Sequence, residues 1–456
     1  MLNELHRRPL VLAAIGVGVG LMIGLSWINL LFLVPLAFLA NESRARWVIL
    51  AGLLVGFFLA PRSDFQPIEK PAYFAGEVDV ISIPRATHDG YRFLVRQGSR
   101  RLQASTPLRY DINMGDTIQV RGWIGPHSEL SERYHLDQAV VGAIKIRSQP
   151  LVLQRGALFW RWATQVRDNV MRVLAEHLDA KRTALADALC FSETTELDSE
   201  TEHDLSVSGL LHLVGSIGAK LFLVAGVCFW LFSQLPIARW AVVFCTITVL
   251  LGYTAACGLT ANGIRAFAMS SIFLISPFLK REFDSPSALA AVFLTQVILW
   301  PRVIYDLGFQ LSMVSLLGIG LYVQHLSSWL FRDGRLDLPH FLRHTVVISI
   351  VAWLFSIPII AYQHGYISLS TPLASFVAWI PFVAVFGCAL AMMVLVPWRE
   401  SIANGLMNYA LDGIARTNEI FGADLFFVAV RPFSAYWLWV IYALAIFAWK
   451  PKFRTV

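Results

Sequence analysis

The sequence predicts a polytopic α-helical membrane protein that carries a small β-barrel domain on the outer side of the membrane. Of its 456 residues, 56% are hydrophobic and only 15% are charged, whereas soluble globular proteins contain about 25% charged residues. Long apolar segments occur at both ends of the chain. Between them, residues 61–155 instead alternate apolar and polar side chains. We predict about 10–11 membrane segments from the lengths of the apolar runs.

Residues 1–60 form the first predicted unit, a set of N-terminal transmembrane helices. It contains three apolar segments, at 10–27, 28–40 and 47–60. No small-residue cleavage site follows the first segment, so we expect it to be retained as a helix. Arg7 and Arg8 precede the first segment, and Arg44 and Arg46 lie between the second and the third. Because cytoplasmic loops are rich in Lys and Arg, the N-terminus is predicted to be cytoplasmic and the chain after residue 60 to be outside.

Residues 61–155 form the second predicted unit, an extracytoplasmic β domain. Four runs alternate apolar and polar residues, and Gly and Pro punctuate them, as is typical of short antiparallel strands. These runs are FAGEVDVISIP, YRFLVRQG, DTIQVRGWIG and QAVVGAIKIR. About five short strands in so few residues predict a small barrel, and an OB-like fold is a common choice. A β-sandwich is the alternative.

Residues 156–200 are predicted to form an amphipathic helix and a linker. In LFWRWATQVRDNVMRVLAEHLDAKRTALADAL, apolar residues recur at steps of three and four, with tryptophans near the start. This pattern is typical of a helix that lies in the membrane interface. A surface helix that packs on the β domain is the alternative.

Residues 201–456 form the last predicted unit, a transmembrane bundle. Its apolar segments are 208–232, 238–258, 263–279, 286–300, 304–324, 345–363, 370–396 and 427–448. The KPKFR tail predicts a cytoplasmic C-terminus. Eight full spans that start outside would also end outside. One segment must therefore re-enter, split or lie flat, and the 370–396 segment is the first candidate.

Two ionisable residues lie inside the apolar stretch SGLLHLVGSIGAKLFLVAG, namely His212 and Lys220. A charged group at the centre of a bilayer costs about 2.5–3.5 kcal/mol on insertion scales. On one continuous helix, residues eight apart lie on roughly one face, which predicts a polar lining for an anionic substrate. The alternative is a lysine that snorkels or pairs inside the protein, and a histidine that bonds to a backbone carbonyl.

Two further apolar helices begin with polar residues. Arg265 lies at the start of one, and Asp306, Gln310 and Ser312 lie at the start of another. Polar groups at membrane depth usually face the interior of a bundle and pair with one another. These residues are therefore candidates for a polar path, with a structural Arg265–Asp306 ion pair as the alternative reading.

These segments together resemble the ComEC competence-protein family. The stretch around His212 is similar to the family pattern G-x-x-H-L-x-A-x-S-G-x-H/N, and DLGFQLSMVSLLGI closely matches D-x-G-F-Q-L-S-x-x-A-x-x-G-I. IRAFAM and STPLASFVAWIP resemble two further family segments. The resemblance implies an inner-membrane channel that admits one strand of transforming DNA. By motif position, and counting the neighbouring serine, the implied translocation path comprises His212, Ser216, Gly218, Lys220, Arg265, Asp306, Phe309, Gln310 and Ser312.

The chain departs from the family pattern at several positions. Ile217 replaces the motif serine, although Ser216 stands next to it, and Lys220 replaces the final His or Asn. Ser375 replaces an asparagine of the later segment, in which Pro381 falls one residue late. A transporter of another anionic polymer or of a small anion is therefore the alternative function. An intramembrane enzyme is a third reading, but no second carboxylate or nucleophile–base spacing supports it, so we expect no enzyme.

A DNA strand carries a charge on every phosphate, so its path needs sequence-blind contacts from cations and from aromatic side chains on which bases stack. Candidates on the β domain are Arg92, Arg96, Arg100, Arg101 and Trp123. A solvated hairpin whose arginines only improve solubility is the alternative. The expected partners are single-stranded DNA, membrane lipid and an outer DNA receptor.

The sequence also predicts which functions lie with other proteins. Many family members carry a metallo-β-lactamase-like domain with an H-x-H-x-D-H metal site, and the eleven histidines here include no such spacing. We therefore expect a separate nuclease. No P-loop occurs, so we expect a cytoplasmic ATPase or helicase to supply energy. The five cysteines lack metal-ligand spacing and are expected to be buried thiols, and no metal or other cofactor is predicted.

Overall fold

The computed structural model describes residues 8–25, 43–60, 68, 70–87, 90–98, 100–126, 140–194, 196–280, 282–330, 340–395, 400–422, 426–434 and 436–448. The predicted segment 28–40, Arg7 and the KPKFR tail lie outside these residues. The orientation of the termini therefore stays a prediction.

Two N-terminal helices pack closely through glycines. Helix α1 is Pro9–Leu25 and helix α2 is Ser43–Leu59. A Cβ atom on Gly56 would lie 2.1 Å from the carbonyl oxygen of Val17, so no larger residue fits at this crossing. Small residues of this kind let membrane helices approach closely enough for their backbones to make van der Waals contact.

The β domain is a small closed barrel. Its strands are β1 Ala72–Val80, β2 Arg85–Thr87, β3 Gly90–Gln97, β4 Arg100–Thr106, β5 Thr117–Gly125, β6 Val140–Ile146 and β7 Leu151–Gln154. Five strands close the barrel in the order β1-β3-β4-β6-β5, because β5 also pairs with β1. The β4–β6 pair is parallel and the other pairs are antiparallel. Alternating Val, Ile and Leu side chains fill the interior, as a half-buried strand pattern requires. A small barrel is therefore confirmed.

Three helices connect the barrel to the bundle: α3 Leu158–His177, α4 Ala180–Phe191 and α5 Ser199–Val207. The predicted linker thus contains a well-packed helix, α4, whose second half is buried. Helix α3 touches both domains. Arg109 of the barrel forms an ion pair with Asp168, and Trp162 packs against Gly252 in the bundle.

The bundle contains ten described helices. They are α6 Leu211–Gly215, α7 Ile217–Ser233, α8 Arg239–Ala256, α9 Ala261–Ile275, α10 Ser285–Leu299, α11 Leu307–Leu330, α12 His340–His364, α13 Thr371–Leu395, α14 Glu400–Phe421 and α15 Tyr436–Ala448. Within the described ranges, five helices are long and apolar enough to cross a membrane, and four shorter ones are apolar. A mostly helical architecture with candidate membrane-spanning helices is confirmed, whereas the total of about 10–11 segments stays a prediction.

Three predicted segments differ from the structure. The 208–232 segment is interrupted at Ser216, whose ψ of 95° ends α6 and precedes α7. The 370–396 segment, the first candidate for a split, is instead one helix that continues through Pro381. The 427–448 segment contains strand β9, Phe427–Ala429, before α15; β9 pairs with strand β8, Tyr366–Ser368. The break at Ser216 frees the carbonyl group of Val214, and a side chain of α7 satisfies it.

Candidate functional site

The turn before α6 brings His212 beside the start of α13. Gly209 has a φ of +75°, and a Cβ atom there would lie 2.0 Å from the hydroxyl oxygen of Thr371. Only glycine combines this left-handed backbone with such a close approach. The ring of His212 lies 2.5 Å (Nδ1) from the carbonyl oxygen of Gly209 and 3.3 Å (Nε2) from the hydroxyl of Ser375. The contact of His212 with a backbone carbonyl agrees with the alternative reading of this residue, and its ring is exposed.

Three serine hydroxyls hold this turn in place through hydrogen bonds. The hydroxyl of Ser208 donates to the side-chain oxygen of Asn418 at 2.5 Å. Ser368 donates to the carbonyl of Val207 at 2.7 Å, and Ser370 donates to the carbonyl of Ser208 at 3.1 Å. These buried bonds join β8 and α14 to the turn. The sequence analysis missed them because the partners are more than 150 residues apart in the chain.

Lys220 is fully buried, at 0% exposure. Its ammonium group donates to the carbonyl of Ala188 at 3.0 Å, to the hydroxyl of Ser192 at 2.6 Å and to the carbonyl of Val214 at 2.6 Å. A lysine has three N–H donors, so every donor is used. The predicted placement of His212 and Lys220 on one continuous helix is wrong, because the chain breaks between them at Ser216.

Arg265 is also buried, at 7% exposure, but its donors are mostly unused. One nitrogen donates to the side-chain oxygen of Asn262 at 2.5 Å, and the Nε atom has no described partner. A guanidinium group carries five N–H donors. Among the described ion pairs, none joins Arg265 to a carboxylate, so the Arg265–Asp306 pair is not formed.

Asp306 instead caps α11. Its carboxylate accepts a hydrogen bond from the backbone N–H of Phe309 at 2.6 Å, the usual role of aspartate before a helix. Gln310 donates to the carbonyl of Ile304 at 2.7 Å. Phe309 is buried and stacks on Phe293 of α10 at 5.9 Å between ring centroids. The motif around Asp306 therefore builds a rigid helix start, and Ser312 is half-buried one turn later.

The starts of α7, α9 and α11 meet around Arg265. A Cβ atom on Gly218 would lie 3.9 Å from Ala266, and one on Gly308 would lie 3.7 Å from Asn262. One on Gly263 would lie 3.5 Å from Ile217. We call these three helix starts, with Arg265, the helix-start cluster. The start of α7 has no side-chain cap, whereas Thr260 caps α9 and the carboxylate of Asp306 caps α11. The groups in this cluster that favour an anion are therefore the N-terminal N–H groups of α7 and the guanidinium of Arg265.

The barrel residues predicted to contact DNA lie on different strands of its surface. Arg92, Arg96, Arg100 and Arg101 are exposed on the β3–β4 hairpin. Arg96 pairs with Asp79 at 3.2 Å. Trp123 lies on β5, where it makes an edge-to-face contact with Tyr73 of β1 at 5.7 Å. The alternation of β1 places Tyr73 on the same outer surface, but the sequence analysis did not single it out.

The comparisons with known proteins agree with the motif resemblance. Residues 189–454, more than half of the chain, match the family described as Competence protein. ComE operon protein 3 of Bacillus subtilis (strain 168) is 22% identical over 209 residues, which are 46% of this chain and 26% of that relative. The match thus spans about a quarter of the relative's length, and no solved structure matches. Among the described residues, no group of three or more His, Cys, Asp or Glu side chains could hold a metal ion. On the family match, the chain is a member of the Competence protein family.

Proposed function

We propose that this chain is an inner-membrane channel that imports single-stranded DNA during natural transformation, without covalent chemistry. Membership of the Competence protein family supports a role in DNA uptake. The apolar helices support a membrane location. In this proposal the polar residues of the bundle provide weak contacts along which a charged polymer moves.

Arg265 is the observation that carries this proposal. An unpaired buried cation is costly, and such groups are kept where they bind a counter-charge. The guanidinium of Arg265 has one described side-chain partner, the neutral Asn262, and it lies among three helix starts. A phosphodiester group matches this site, because its oxygens accept several N–H bonds and carry the missing negative charge.

The other polar residues of the predicted path then take different roles. Exposed His212 and half-buried Gln310 and Ser312 are proposed to line the path beside Arg265. Lys220 is proposed to support the path indirectly. It does not contact the DNA strand, but its three hydrogen bonds hold α7 against α4. Ser216, Gly218, Asp306 and Phe309 shape the helix starts.

The barrel is proposed to be an OB-like domain that receives the DNA strand. Its closed five-strand order, with a single parallel pair between β4 and β6, supports this interpretation. OB folds commonly bind single strands on a basic, aromatic surface. Arg92, Arg96, Arg100, Arg101 and Trp123 are the proposed contacts. An outer DNA receptor, a separate nuclease and a cytoplasmic ATPase or helicase are the proposed partners, and both termini are proposed to be cytoplasmic.

Substitution of Arg265 tests the proposal. In a deletion strain of the source organism, we expect the wild-type chain to restore entry of labelled DNA into the cytoplasm. Arg265→Gln should lower entry at least tenfold, and Arg265→Lys should keep part of it, because the charge remains while the forked donors are lost. Arg239→Gln, which removes an exposed arginine at the start of α8, is the matched control.

Two outcomes would contradict the proposal. If Arg265→Gln imports DNA as well as Arg239→Gln at equal membrane abundance, the helix-start cluster does not carry the strand. If the deletion strain itself imports DNA normally, the chain moves another anionic polymer or a small anion.

A further inference from the structure

We propose a specific binding site for single-stranded DNA on the barrel, a row of five side chains that crosses its outer surface. The row consists of Tyr73, Trp123, Lys145, Ser105 and Arg92, and we call it the aromatic–cationic band. It rests on the proposed import of DNA and specifies where the strand first binds. Three of its members, Tyr73, Lys145 and Ser105, are not among the DNA-contact candidates predicted from the sequence.

The register of the strands places these residues side by side. Tyr73 of β1 lies opposite Trp123 of β5, which in turn lies opposite Lys145 of β6. Lys145 is the partner of Ser105 in β4, and Ser105 is the partner of Arg92 in β3. Directly opposed residues of a sheet point to the same face, with Cβ atoms about 5 Å apart. The five side chains therefore form one unbroken row across five strands.

The row faces outward along its whole length. Tyr73 is 60% exposed and Trp123 is 52% exposed, while Lys145 and Arg92 are exposed and Ser105 is half-buried. Their chain neighbours Phe93, Ala104, Ile124 and Ile144 point into the barrel core and are buried. Two large aromatic rings are thus exposed side by side instead of being buried in the core. An exposed pair of this kind indicates a surface that binds a partner, and the rings can stack on a ligand that has aromatic faces of its own.

The charges of the row suit a polyanion. Lys145 and Arg92 take part in none of the described ion pairs, and the row contains no acidic residue. Two carboxylates lie on the same face of β1: Asp79 is engaged by Arg96 at 3.2 Å and by the hydroxyl of Thr117 at 2.9 Å, and Glu77 is exposed opposite Gln119, four residues from Tyr73. The aromatic end can therefore stack bases while the cationic end holds phosphates, which is the usual division in single-strand binding.

The two ends of the row lie at different distances from the helices that follow the barrel, and the Arg92 end is the nearer one. Arg92 lies opposite Arg85 of β2, and Arg85 forms an ion pair at 2.8 Å with the buried carboxylate of Glu193, just after α4. The cationic end thus lies next to the contact between the barrel and the helices that connect it to the bundle. With strands about 4.8 Å apart, the four steps of the row span about 19 Å, enough for several nucleotides. A strand bound along it would be led toward the bundle.

A lipid surface is the competing ligand, and the structure provides it with a different face. Exposed apolar side chains gather where β7 meets the start of α3, at Leu151, Leu153 and Leu158. The aromatic–cationic band has two rings but also two free cations and a hydroxyl group. Its mixed chemistry fits a strand of nucleotides better than the hydrocarbon edge of a bilayer.

The test measures binding of a labelled oligo-dT of about 20 nucleotides to the purified full chain in lipid nanodiscs, by fluorescence anisotropy at several salt concentrations. Tyr73→Ala and Trp123→Ala should each raise Kd by about 5- to 150-fold, as expected for loss of one base stack. Lys145→Gln and Arg92→Gln should each reduce the slope of log K against log salt by about 0.7. Arg172→Gln removes an exposed arginine on α3 and should leave both quantities unchanged.

Several results would overturn the band. They are a wild-type chain that does not bind the oligonucleotide, aromatic variants that bind within about twofold of wild type, or an equal loss of salt dependence in Arg172→Gln. The lipid of the nanodiscs tests the competing ligand. If Tyr73→Ala and Trp123→Ala weaken oligonucleotide binding in nanodiscs of anionic lipid but not in nanodiscs of neutral lipid, the band binds anionic lipid instead. The import assay with Arg265→Gln is read separately in cells, so failure of the band and failure of the channel are distinguishable.

Discussion

At the scale of single residues, the two buried cations of the bundle have different consequences. Lys220 donates to three protein oxygens, so it behaves as a structural cross-link between α7, α4 and the end of α6. Arg265 retains free donors and is the residue available to a ligand. The sequence motifs placed both residues in the path and could not distinguish these two roles. The difference depends on which oxygen atoms surround each charge in the folded chain.

The structural role of Lys220 predicts that Lys220→Met destabilises the chain. Methionine fills a similar volume but leaves the carbonyl of Val214 without a described donor, while the carbonyl of Ala188 keeps only its bond from the N–H of Ser192. Each buried unsatisfied polar group costs about 1–3 kcal/mol, so we expect a clear fall in the thermal unfolding midpoint in detergent. Lys280→Met, at an exposed lysine, is the control. An unchanged midpoint for Lys220→Met would show that water or another donor replaces the ammonium group.

At the scale of elements, the turn before α6 depends on one backbone conformation. Gly209 is left-handed and its hydrogen faces Thr371, whereas Gly215 has open space around it. The turn positions both His212 and the first residues of α13. Its geometry therefore couples the 208–232 segment to the 370–396 segment, which was the first candidate for a segment that re-enters, splits or lies flat.

This contrast predicts opposite outcomes for two alanine substitutions six residues apart. Gly209→Ala should destabilise the chain, because a left-handed alanine costs about 1–2 kcal/mol and its methyl group would overlap Thr371. Gly215→Ala should be neutral or slightly stabilising, since alanine favours a helix over glycine. Unfolding midpoints and membrane abundance measured in parallel decide the point. Equal effects of the two changes would show that the turn is not rigid.

Helices and strands were predicted from the sequence more accurately than the breaks within them. The fold class, the barrel position and most helix ranges follow from hydrophobic periodicity, which is a local signal. The break at Ser216 does not, because it is stabilised by Lys220 and its distant acceptors. Likewise, Tyr73 joins Trp123 only through the pairing of β1 with β5, and such non-local register is not contained in the alternation of either strand.

At the scale of the whole molecule, a largely buried ionic network holds the barrel to the helices that connect it to the bundle. Arg85 of the barrel reaches Glu193 at 2.8 Å. Glu193 also lies 3.7 Å from Arg167 of α3, which pairs with Asp187 of α4 at 2.9 Å. Burial away from water raises the pKa of Asp187 from its ordinary 3.8 to about 6. The junction therefore contains a carboxyl group that titrates in a mildly acidic range.

The raised pKa of Asp187 predicts the sign of a pH effect. Because the folded state binds this proton more tightly than the unfolded state, the stabilising contribution is complete below about pH 4 and is lost as the pH rises through about 6. Wild type should therefore lose stability relative to Asp187→Asn, which does not titrate, between pH 4.5 and 7.5. Unfolding midpoints of both proteins at each pH provide the measurement. A constant or opposite difference would place the pKa near its ordinary value.

The cross-link at Lys220 has a consequence for biogenesis. Its acceptors at Ala188, Ser192 and Val214 all precede it in the chain, so the ribosome makes them first. A lysine that enters a bilayer alone carries an insertion penalty of about 2.5–3.5 kcal/mol. Here the partners are already synthesised when the lysine emerges, and chains fold from the N-terminal side during synthesis. We therefore expect α7 to enter the membrane with the charge of Lys220 already matched.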